Sequence, residues 1–241
     1  MFPIIGITTY GRSEKEVVSE SYDAHFAIPT PYVDAVRRAD GVPILLPPGE
    51  PNLSAWLDLL DGIIFSGGAD ISPKYYSGDE SHPKLGLPDP ERDQTEFALL
   101  DLALRRKALP ILMICRGMQL LNTAMKGDLH EHIADVHPDN IHQGKDSFWT
   151  QQEYTIENGS LLATIAKQEK QSARSGHHQG VKSVGNNLTV AALAADGIVE
   201  AIEHTDHPFC LGVQWHPEAT AATDASQQEI FNAFVKASAT R

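Results

Sequence analysis

The feature that most constrains the fold is a regular alternation of short apolar runs and helical patterns along most of the chain. Such alternation is typical of a mostly parallel β-sheet with helices on its faces. Residues 110–114 form a continuous apolar run, which is too short for a helix and suits a strand buried on both sides. Further strands are predicted at residues 4–8, 43–46 and 62–65.

Helix-boundary residues separate these strands. The sequence predicts a helix with Thr30 as N-cap, Pro31 as its first residue and Gly41 at its end. A clearer helix follows residues 89–91, and another is predicted at residues 117–125. In the clearer helix, apolar residues recur at helical spacing, and cations are expected in the last turn: Phe97, Leu100 and Leu104, then Arg105, Arg106 and Lys107.

The second half of the chain has a different pattern. Beyond residue 126 the sequence is polar and rich in histidine, and later strands are predicted close together at residues 188–193, 199–203 and 209–214. Such short spacings predict hairpins and an antiparallel part of the sheet. A last amphipathic helix is predicted at residues 225–236. Because no repeat or linker divides the chain, we expect one domain over residues 1–241.

The charge of the chain argues against two classes of partner. There are 32 acidic and 19 Lys and Arg residues, giving a net charge of −13. This excess repels phosphate backbones and anionic lipid, so we expect neither nucleic acid nor membrane as a partner. The first residues lack a secretory signal pattern, and no apolar run approaches the roughly 18 residues of a bilayer span. We expect a cytoplasmic protein, and the sequence leaves open whether it forms a homodimer.

Cys115 is a candidate nucleophile. It follows the apolar run and precedes a predicted helix, which puts it at the carboxyl end of a central strand, where α/β proteins bind ligands. A helix N-terminus stabilises a thiolate, and Gly117 permits a sharp strand-to-helix turn. The alternative is an unreactive buried cysteine, which residue type alone favours. Cys210, inside a predicted strand, fits that alternative better. Two cysteines are too few for a disulfide framework.

Two further groups follow predicted strands. His216 and Glu218 stand two residues apart, so that the carboxylate could hold the imidazole while the imidazole draws a proton from a thiol. Gly67 and Gly68 would let backbone amides approach an oxyanion or a phosphate. The Lys-Ser or Lys-Thr that completes a phosphate-binding loop is missing. An ordinary glycine turn is the remaining alternative.

Four segments together resemble one protein family. They are residues 63–70 (IIFSGGAD), 114–122 (ICRGMQLLN), 177–179 (HHQ) and 212–218 (GVQWHPE). They resemble the triad, or class I, glutamine amidotransferases, and among these the peptidase C26 branch of gamma-glutamyl-gamma-aminobutyrate hydrolase-like enzymes. The resemblance is collinear over residues 4–235. It implies a flavodoxin-like α/β fold, with a mostly parallel central sheet flanked by helices and an antiparallel extension.

The resemblance also implies roles for individual residues. Cys115 would be the nucleophile, His216 the general base and acid, and Glu218 the residue that orients the imidazole. The backbone amides of Gly68 and Arg116 would form the oxyanion hole. The candidates for binding the glutamyl part of a small-molecule substrate are Gln119, His178 and Gln179. Neither a metal nor an organic cofactor is required.

The chain departs from the family pattern in three places. Met113 stands where a small residue is usual, and Ala69 replaces the third glycine of the turn. Residues 173–176 (ARSG) replace the usual stretch before HHQ. We expect that stretch to face the half of the substrate beyond the gamma-amide, so the sequence does not identify the released amine. Arg174 is a candidate contact from its charge alone.

The eleven histidines also raise the hypothesis of a metal site. Four of them lie close together in the sequence: His130, His132, His137 and His142. Their spacing is not His-Glu-x-x-His and lacks helical periodicity, so a polar loop over the active site is preferred to a zinc site. The three tryptophans are expected to be packing residues: Trp56, Trp149 and Trp215.

Three functions remain open. The first is a hydrolase that cleaves gamma-glutamyl amides to glutamate and amine through a gamma-glutamyl thioester. The second is a glutaminase that passes ammonia to a partner synthetase, since no synthetase domain is fused within these residues. The third is a non-catalytic binding protein, which the intact Cys, His and Glu argue against.

Overall fold

The computed structural model describes residues 2–13, 24–139, 141–144 and 147–239. Within them the strands form one eleven-stranded sheet. The strands are β1 (Ile4–Thr8), β2 (Val42–Leu46), β3 (Gly62–Phe65), β4 (Ile111–Ile114), β5 (Asp128–His130), β6 (Thr150–Ile156), β7 (Lys170–Ser175), β8 (Gly180–Ser183), β9 (Leu188–Ala194), β10 (Val199–His204) and β11 (Cys210–Val213). The α-helices are α1 (Thr30–Arg38), α2 (Leu53–Leu59), α3 (Pro90–Leu104), α4 (Arg116–Ala124), α5 (Leu161–Ala166) and α6 (Ala225–Ser238).

The sheet has a parallel half and an antiparallel half. Strands β2, β1, β3, β4 and β11 lie side by side in that order and run parallel. From β11 the sheet continues through β10, β9, β6 and β7, with each pair antiparallel. Off this path, β8 pairs with β10 and β5 pairs with β8. The predicted parallel centre and antiparallel extension are both confirmed.

Helices cover both faces of the sheet. α1, α5 and α6 pack on one face, and α2, α3 and α4 pack on the other. Strand β4 contributes to both layers, because Leu112 and Ile114 join the first core cluster while Ile111 and Met113 join the second. This explains its continuous apolar run. Among the described residues, no helix combines the length and apolar character that crossing a bilayer requires.

Two helices end differently from the prediction. α1 starts at Thr30, with Pro29 rather than Thr30 in the cap position. It ends before Asp40, which has a φ of +62°. Asp40, rather than the predicted Gly41, therefore takes the left-handed conformation that ends many helices. α3 begins as predicted, but it ends at Leu104, so the cations at residues 105–107 follow the helix instead of lying in its last turn.

The sequence pattern does not predict strands β5 to β8 or helices α2 and α5. On β7 the buried side chains are Gln171, Ala173 and Ser175, and on β6 they include Gln152. Because polar side chains occupy part of the buried face, the alternation in hydropathy that reveals a strand is weak there.

Candidate active site

Three neighbouring parallel strands end at one edge of the sheet. β3 pairs with β4, and β4 pairs with β11, so that Phe65 lies beside Met113 and Ile114 beside Val213. The backbone amide of Cys115 donates to the carbonyl of Val213 at 2.7 Å. The segments that follow these strands therefore meet at the carboxyl edge, where open α/β sheets bind ligands.

Cys115 occupies a strained turn between β4 and α4. Its φ of +52° and ψ of −104° lie in a region that L residues rarely adopt, at a cost on the order of 1–3 kcal/mol. The close approach of α4 to β3 needs Gly117, since a Cβ there would lie 2.4 Å from the carbonyl oxygen of Phe65. Cys115 is 6% exposed and its Sγ accepts a hydrogen bond from Nε2 of Gln214 at 3.5 Å.

His216 and Glu218 form a buried pair beyond the end of β11. Nδ1 of His216 lies 2.7 Å from Oε1 of Glu218. Because Nδ1 is engaged in this way, Nε2 is the ring nitrogen that remains available for Cys115, and it has no hydrogen-bond partner among the described residues. Burial opposes protonation of the ring, but the negative charges of Glu218 and Cys115 outweigh burial and raise the pKa of His216 to about 10.

Gly67 lies where the glycine turn meets these side chains. A methyl group added at Gly67 would lie 2.9 Å from Cε1 of His216 and 3.6 Å from Cβ of Cys115. It would also lie 3.1 Å from the hydroxyl oxygen of Tyr32, to which the Gly67 amide donates at 3.0 Å. The structure thus brings the turn, the thiol and the imidazole together, as the sequence predicts.

Two backbone amides beside the thiol are candidates for holding an oxyanion. Gly68 has a φ of +141°, which a residue with a side chain rarely adopts. Arg116 is the first residue of α4, where a helix leaves its amides without an intrahelical acceptor. Within the described part of the chain, neither amide has a hydrogen-bond acceptor. Both stay predicted oxyanion donors.

A cavity of about 590 Å³ is lined by Gly68, Cys115, His216 and Glu218, and its volume is in the range of small-molecule sites. The three predicted substrate-binding residues all line it: Gln119, His178 and Gln179. Nε2 of Gln119 donates to the carbonyl of Gln179 at 3.3 Å and to the side chain of Gln214 at 3.2 Å. Nε2 of His178 lies 3.0 Å from Oδ1 of Asp70. Their contact with substrate stays a prediction.

Trp149 corrects the expectation that all three tryptophans serve packing. Its ring lines the cavity and meets the ring of His216 edge-on, with centroids 4.9 Å apart. Trp215 is 1% exposed and stacks on Tyr154, as a packing residue would. Trp56 is half-buried and also packs against the core. Of the three tryptophans, only Trp149 lines this cavity.

The places where the chain departs from the family pattern have different consequences. Met113 is fully buried in the core. Ala69 is absent from the positive-φ residues, so a third glycine is not needed. Within the stretch before HHQ, Gly176 lines the cavity, and the guanidinium of Arg174 lies 4.7 Å from the ring centroid of Trp149. Ala69 and Gly176 therefore both reach the cavity wall, whereas Met113 does not.

Comparison with known proteins identifies the family. The family model described as peptidase C26 matches residues 3–218. The chain belongs to the peptidase C26 family. Its similarity to proteins of this family indicates a hydrolase-like or glutamine amidotransferase-like enzyme.

Several curated relatives cover most of the chain. The gamma-glutamyl-gamma-aminobutyrate hydrolase of Escherichia coli (strain K12) is 35% identical over 217 residues, spanning 86% of this chain and 84% of that protein. Protein NtpR of Enterococcus hirae is 36% identical, spanning 98% and 99%. A glutamine amidotransferase-like protein of Lactococcus lactis is 37% identical, spanning 84% and 85%. The peptidase C26 relatives thus carry more than one description.

Solved structures support the fold. A protein of Thermoplasma acidophilum that is described as a GMP synthase subunit superposes with a TM-score of 0.68 at 16% identity, covering 100% of this chain and 96% of that one. The glutaminase domain of Trypanosoma brucei CTPS superposes with a TM-score of 0.64 at 16% identity, covering 99% and 94%. This peptidase C26 chain has the class I glutamine amidotransferase fold.

Sequence analysis missed three charged residues of α3 that the structure buries beside the glycine turn: Arg92, Asp93 and Glu96. Arg92 and Glu96 stand one helical turn apart, and the same face continues with the buried residues Leu99, Leu100 and Ala103. Charged residues at the start of an otherwise apolar helical stripe are the signal that could have found them.

One group of side chains among the described residues has the composition of a metal site: His142, His177 and Glu200. Nδ1 of His142 and Nε2 of His177 lie 3.1 and 3.5 Å from Oε1 of Glu200. Nε2 of His142 lies 2.8 Å from Asp196. Burial lowers the pKa of His142, but Glu200 and Asp196 outweigh it and raise the pKa. His142 thus pairs with two carboxylates in this cluster, and His130, His132 and His137 are not part of it.

Cys210 has the properties of a structural thiol. It is 1% exposed in β11, and burial raises its pKa to about 12. We expect Cys210→Ala to lower the free energy of unfolding by about 1 kcal/mol and to leave turnover unchanged. Chemical denaturation and steady-state rates measure the two effects. Normal stability with lost turnover would contradict this prediction.

Proposed function

We propose that the chain hydrolyses the gamma-glutamyl amide bond of a small gamma-glutamyl amine, such as gamma-glutamyl-gamma-aminobutyrate, to glutamate and a free amine. The observation that carries this proposal is the meeting of Cys115, His216 and Glu218 in one cavity beside two amides without acceptors. The relatives named gamma-glutamyl-gamma-aminobutyrate hydrolase, at 35–36% identity, support the substrate class.

In the first half of the proposed reaction, the thiolate of Cys115 attacks the gamma-amide carbonyl carbon. A sulfur–carbon bond forms, and the carbonyl electron pair moves to oxygen, where the amides of Gly68 and Arg116 hold the oxyanion. As the carbon–nitrogen bond breaks, the leaving nitrogen takes the proton from His216. The products are a free amine, a neutral imidazole and a gamma-glutamyl thioester on Cys115.

In the second half, water attacks the thioester carbonyl and gives a proton to His216. The second tetrahedral intermediate collapses when the sulfur–carbon bond breaks and sulfur leaves as the thiolate. Glutamate departs, and the charged imidazole and thiolate are restored. Glu218 orients the ring through Nδ1 and stabilises its positive charge in both halves.

Recognition of the glutamyl half falls to groups on the cavity wall. The substrate carries an α-amino and an α-carboxyl group, each of which needs a polar partner when water is displaced. We propose that Gln119, His178 and Gln179, which line the cavity, contribute these contacts. We also propose that Trp149 contacts the half beyond the gamma-amide; the edge-on contact of its ring with His216, the proposed proton donor to the leaving nitrogen, supports this role.

The proposal is tested with the purified chain alone. We expect rapid release of glutamate from gamma-glutamyl-gamma-aminobutyrate and little release from glutamine, measured with a glutamate-specific assay. A panel of other gamma-glutamylated amines, including polyamine-derived compounds, then identifies the preferred leaving amine. Failure to hydrolyse every gamma-glutamyl amide in the panel would overturn the proposed hydrolase.

A glutaminase that delivers ammonia to a partner synthetase is the second candidate. It is favoured by the relatives described as glutamine amidotransferase-like and by the fold shared with synthetase subunits and domains. Its signature in the same assay would be ammonia release from glutamine only after a second protein is added.

A further inference from the structure

A buried ion network lies beside the two candidate oxyanion amides. It consists of Arg92, Asp93 and Glu96 from α3 and Arg116 from α4, each at most 2% exposed. Nε of Arg92 lies 2.8 Å from Glu96 Oε1, and Nη2 of Arg116 lies 2.5 Å from Asp93 Oδ1. Nη1 of Arg116 contacts the other oxygen of Glu96. Glu96 therefore joins both arginines, and the four charges balance.

Arg92 connects this network to the glycine turn. Its Nη2 donates to the carbonyl oxygens of Ser66 at 3.0 Å and Gly67 at 2.9 Å. A trans peptide is planar, and its C=O and N–H point in opposite directions. Because the Gly67 carbonyl points at Arg92, the amide of Gly68, in the same peptide plane, must point away from Arg92. The guanidinium thus sets the direction of one proposed oxyanion donor.

Arg116 connects the same network to the other amide. Its backbone nitrogen directly follows Cys115, and its guanidinium is fixed by Asp93 and Glu96. Asp93 is itself held, because its Oδ2 accepts the amide of Ser72 at 3.1 Å. Both proposed donors are therefore tied, through two arginines, to the single carboxylate of Glu96.

We propose that Arg92 and Glu96 are positioning residues that hold the amides of Gly68 and Arg116 at a fixed separation and direction for the oxyanion. This inference rests on the proposed function, since it assumes a tetrahedral intermediate. A buried ion pair is often no more stabilising than apolar residues of the same volume, so its use here is better explained by geometry than by stability. The planar fork of Arg92 supplies several donors in fixed directions, which lysine does not.

Two variants and a matched control test this inference. Arg92→Lys keeps the positive charge but loses the planar fork. Arg92→Met combined with Glu96→Gln removes one charge of each sign and leaves the ion pair of Arg116 and Asp93. Because no buried charge is left unpaired, this double variant should fold even if Arg92→Lys is unstable. The control is Asp101→Asn, which breaks an exposed ion pair that is also spaced i,i+4, between Asp101 on α3 and Arg105 just after its end.

Kinetics separate a positioning role from general damage. A missing oxyanion donor typically lowers kcat by about 10²–10³-fold, and we expect a loss of about 100-fold for a misdirected one, with KM changed by less than about threefold. Alkylation of Cys115 by iodoacetamide, followed by mass spectrometry, forms no oxyanion, so its rate should stay within about twofold of the parent. Equal losses in hydrolysis and alkylation, or unchanged kcat, would overturn the inference.

A second measurement does not need turnover. Hydrogen–deuterium exchange should accelerate in peptides covering residues 66–69 and 115–117 of both variants, and not in the Asp101→Asn control. If the parent protein hydrolyses no gamma-glutamyl amide, the proposed function fails while this exchange result still decides whether the network orders the turn. Unchanged exchange in both segments would refute the positioning role.

Discussion

Cys115→Ala is expected to lose roughly 10⁴- to 10⁶-fold in turnover of a gamma-glutamyl amide, the range seen when a nucleophile of such a set is removed. The variant should still fold, because the side chain lies at a strand end and the change removes one sulfur atom. Its free energy of unfolding should stay within about 1 kcal/mol of the parent. Initial rates of glutamate release and denaturant unfolding curves measure the two effects.

Cys210→Ala is the matched control for this variant, since it makes the same atomic change on β11, the strand next to β4. We expect turnover to distinguish the two variants, since it is lost in Cys115→Ala and unchanged in Cys210→Ala. If Cys115→Ala kept most of its activity, the proposed thioester and every later step would be wrong.

Glu218→Gln is expected to lower kcat by about 10²–10⁴-fold with little change in KM, because the proposed role of the carboxylate is to orient and charge-stabilise the imidazole. The pH profile gives a second readout. The charge of Glu218 is a main cause of the raised pKa of His216, which is about 10. The proton that His216 donates to the leaving nitrogen is therefore present below about pH 10 and lost as the pH rises through that value.

Glu218→Gln removes the negative charge that raises the pKa of His216. This pKa should therefore fall, and the alkaline limb of the kcat/KM profile should move to lower pH. Glu153→Gln, on the exposed side of β6, is the control and should leave both the rate and the profile unchanged. If the alkaline limb did not move in Glu218→Gln, Glu218 would not be the cause of the raised pKa of His216.

The sequence predicts the parallel centre of the fold and the elements that carry the proposed triad, for a physical reason. Strands such as β4 are buried on both faces and therefore apolar throughout, and the residues that follow them must emerge at one sheet edge. The sequence accordingly predicts that Cys115 and His216 follow strands that end at the same edge of the sheet. The antiparallel half is less visible, because Gln152 and Ser175 occupy buried positions there.

The missed residues of the site have two physical origins. Arg92 and Glu96 are charged, and the usual expectation is that charged helix residues face solvent; only their partners on the turn and on α4 explain their burial. Trp149 precedes β6, a strand that the pattern does not predict, so nothing in the sequence placed its ring against His216. Both depend on contacts between distant parts of the chain.

The reacting groups follow buried strands, whereas part of the outer wall of the cavity comes from irregular segments such as residues 10–13 and 148–149. Mutation can therefore alter one part without dismantling the other. Substitutions in the irregular segments should change which amine is accepted with little effect on folding. The reacting groups at the strand ends would keep their arrangement. This separation allows the same fold to evolve different preferences for the leaving amine.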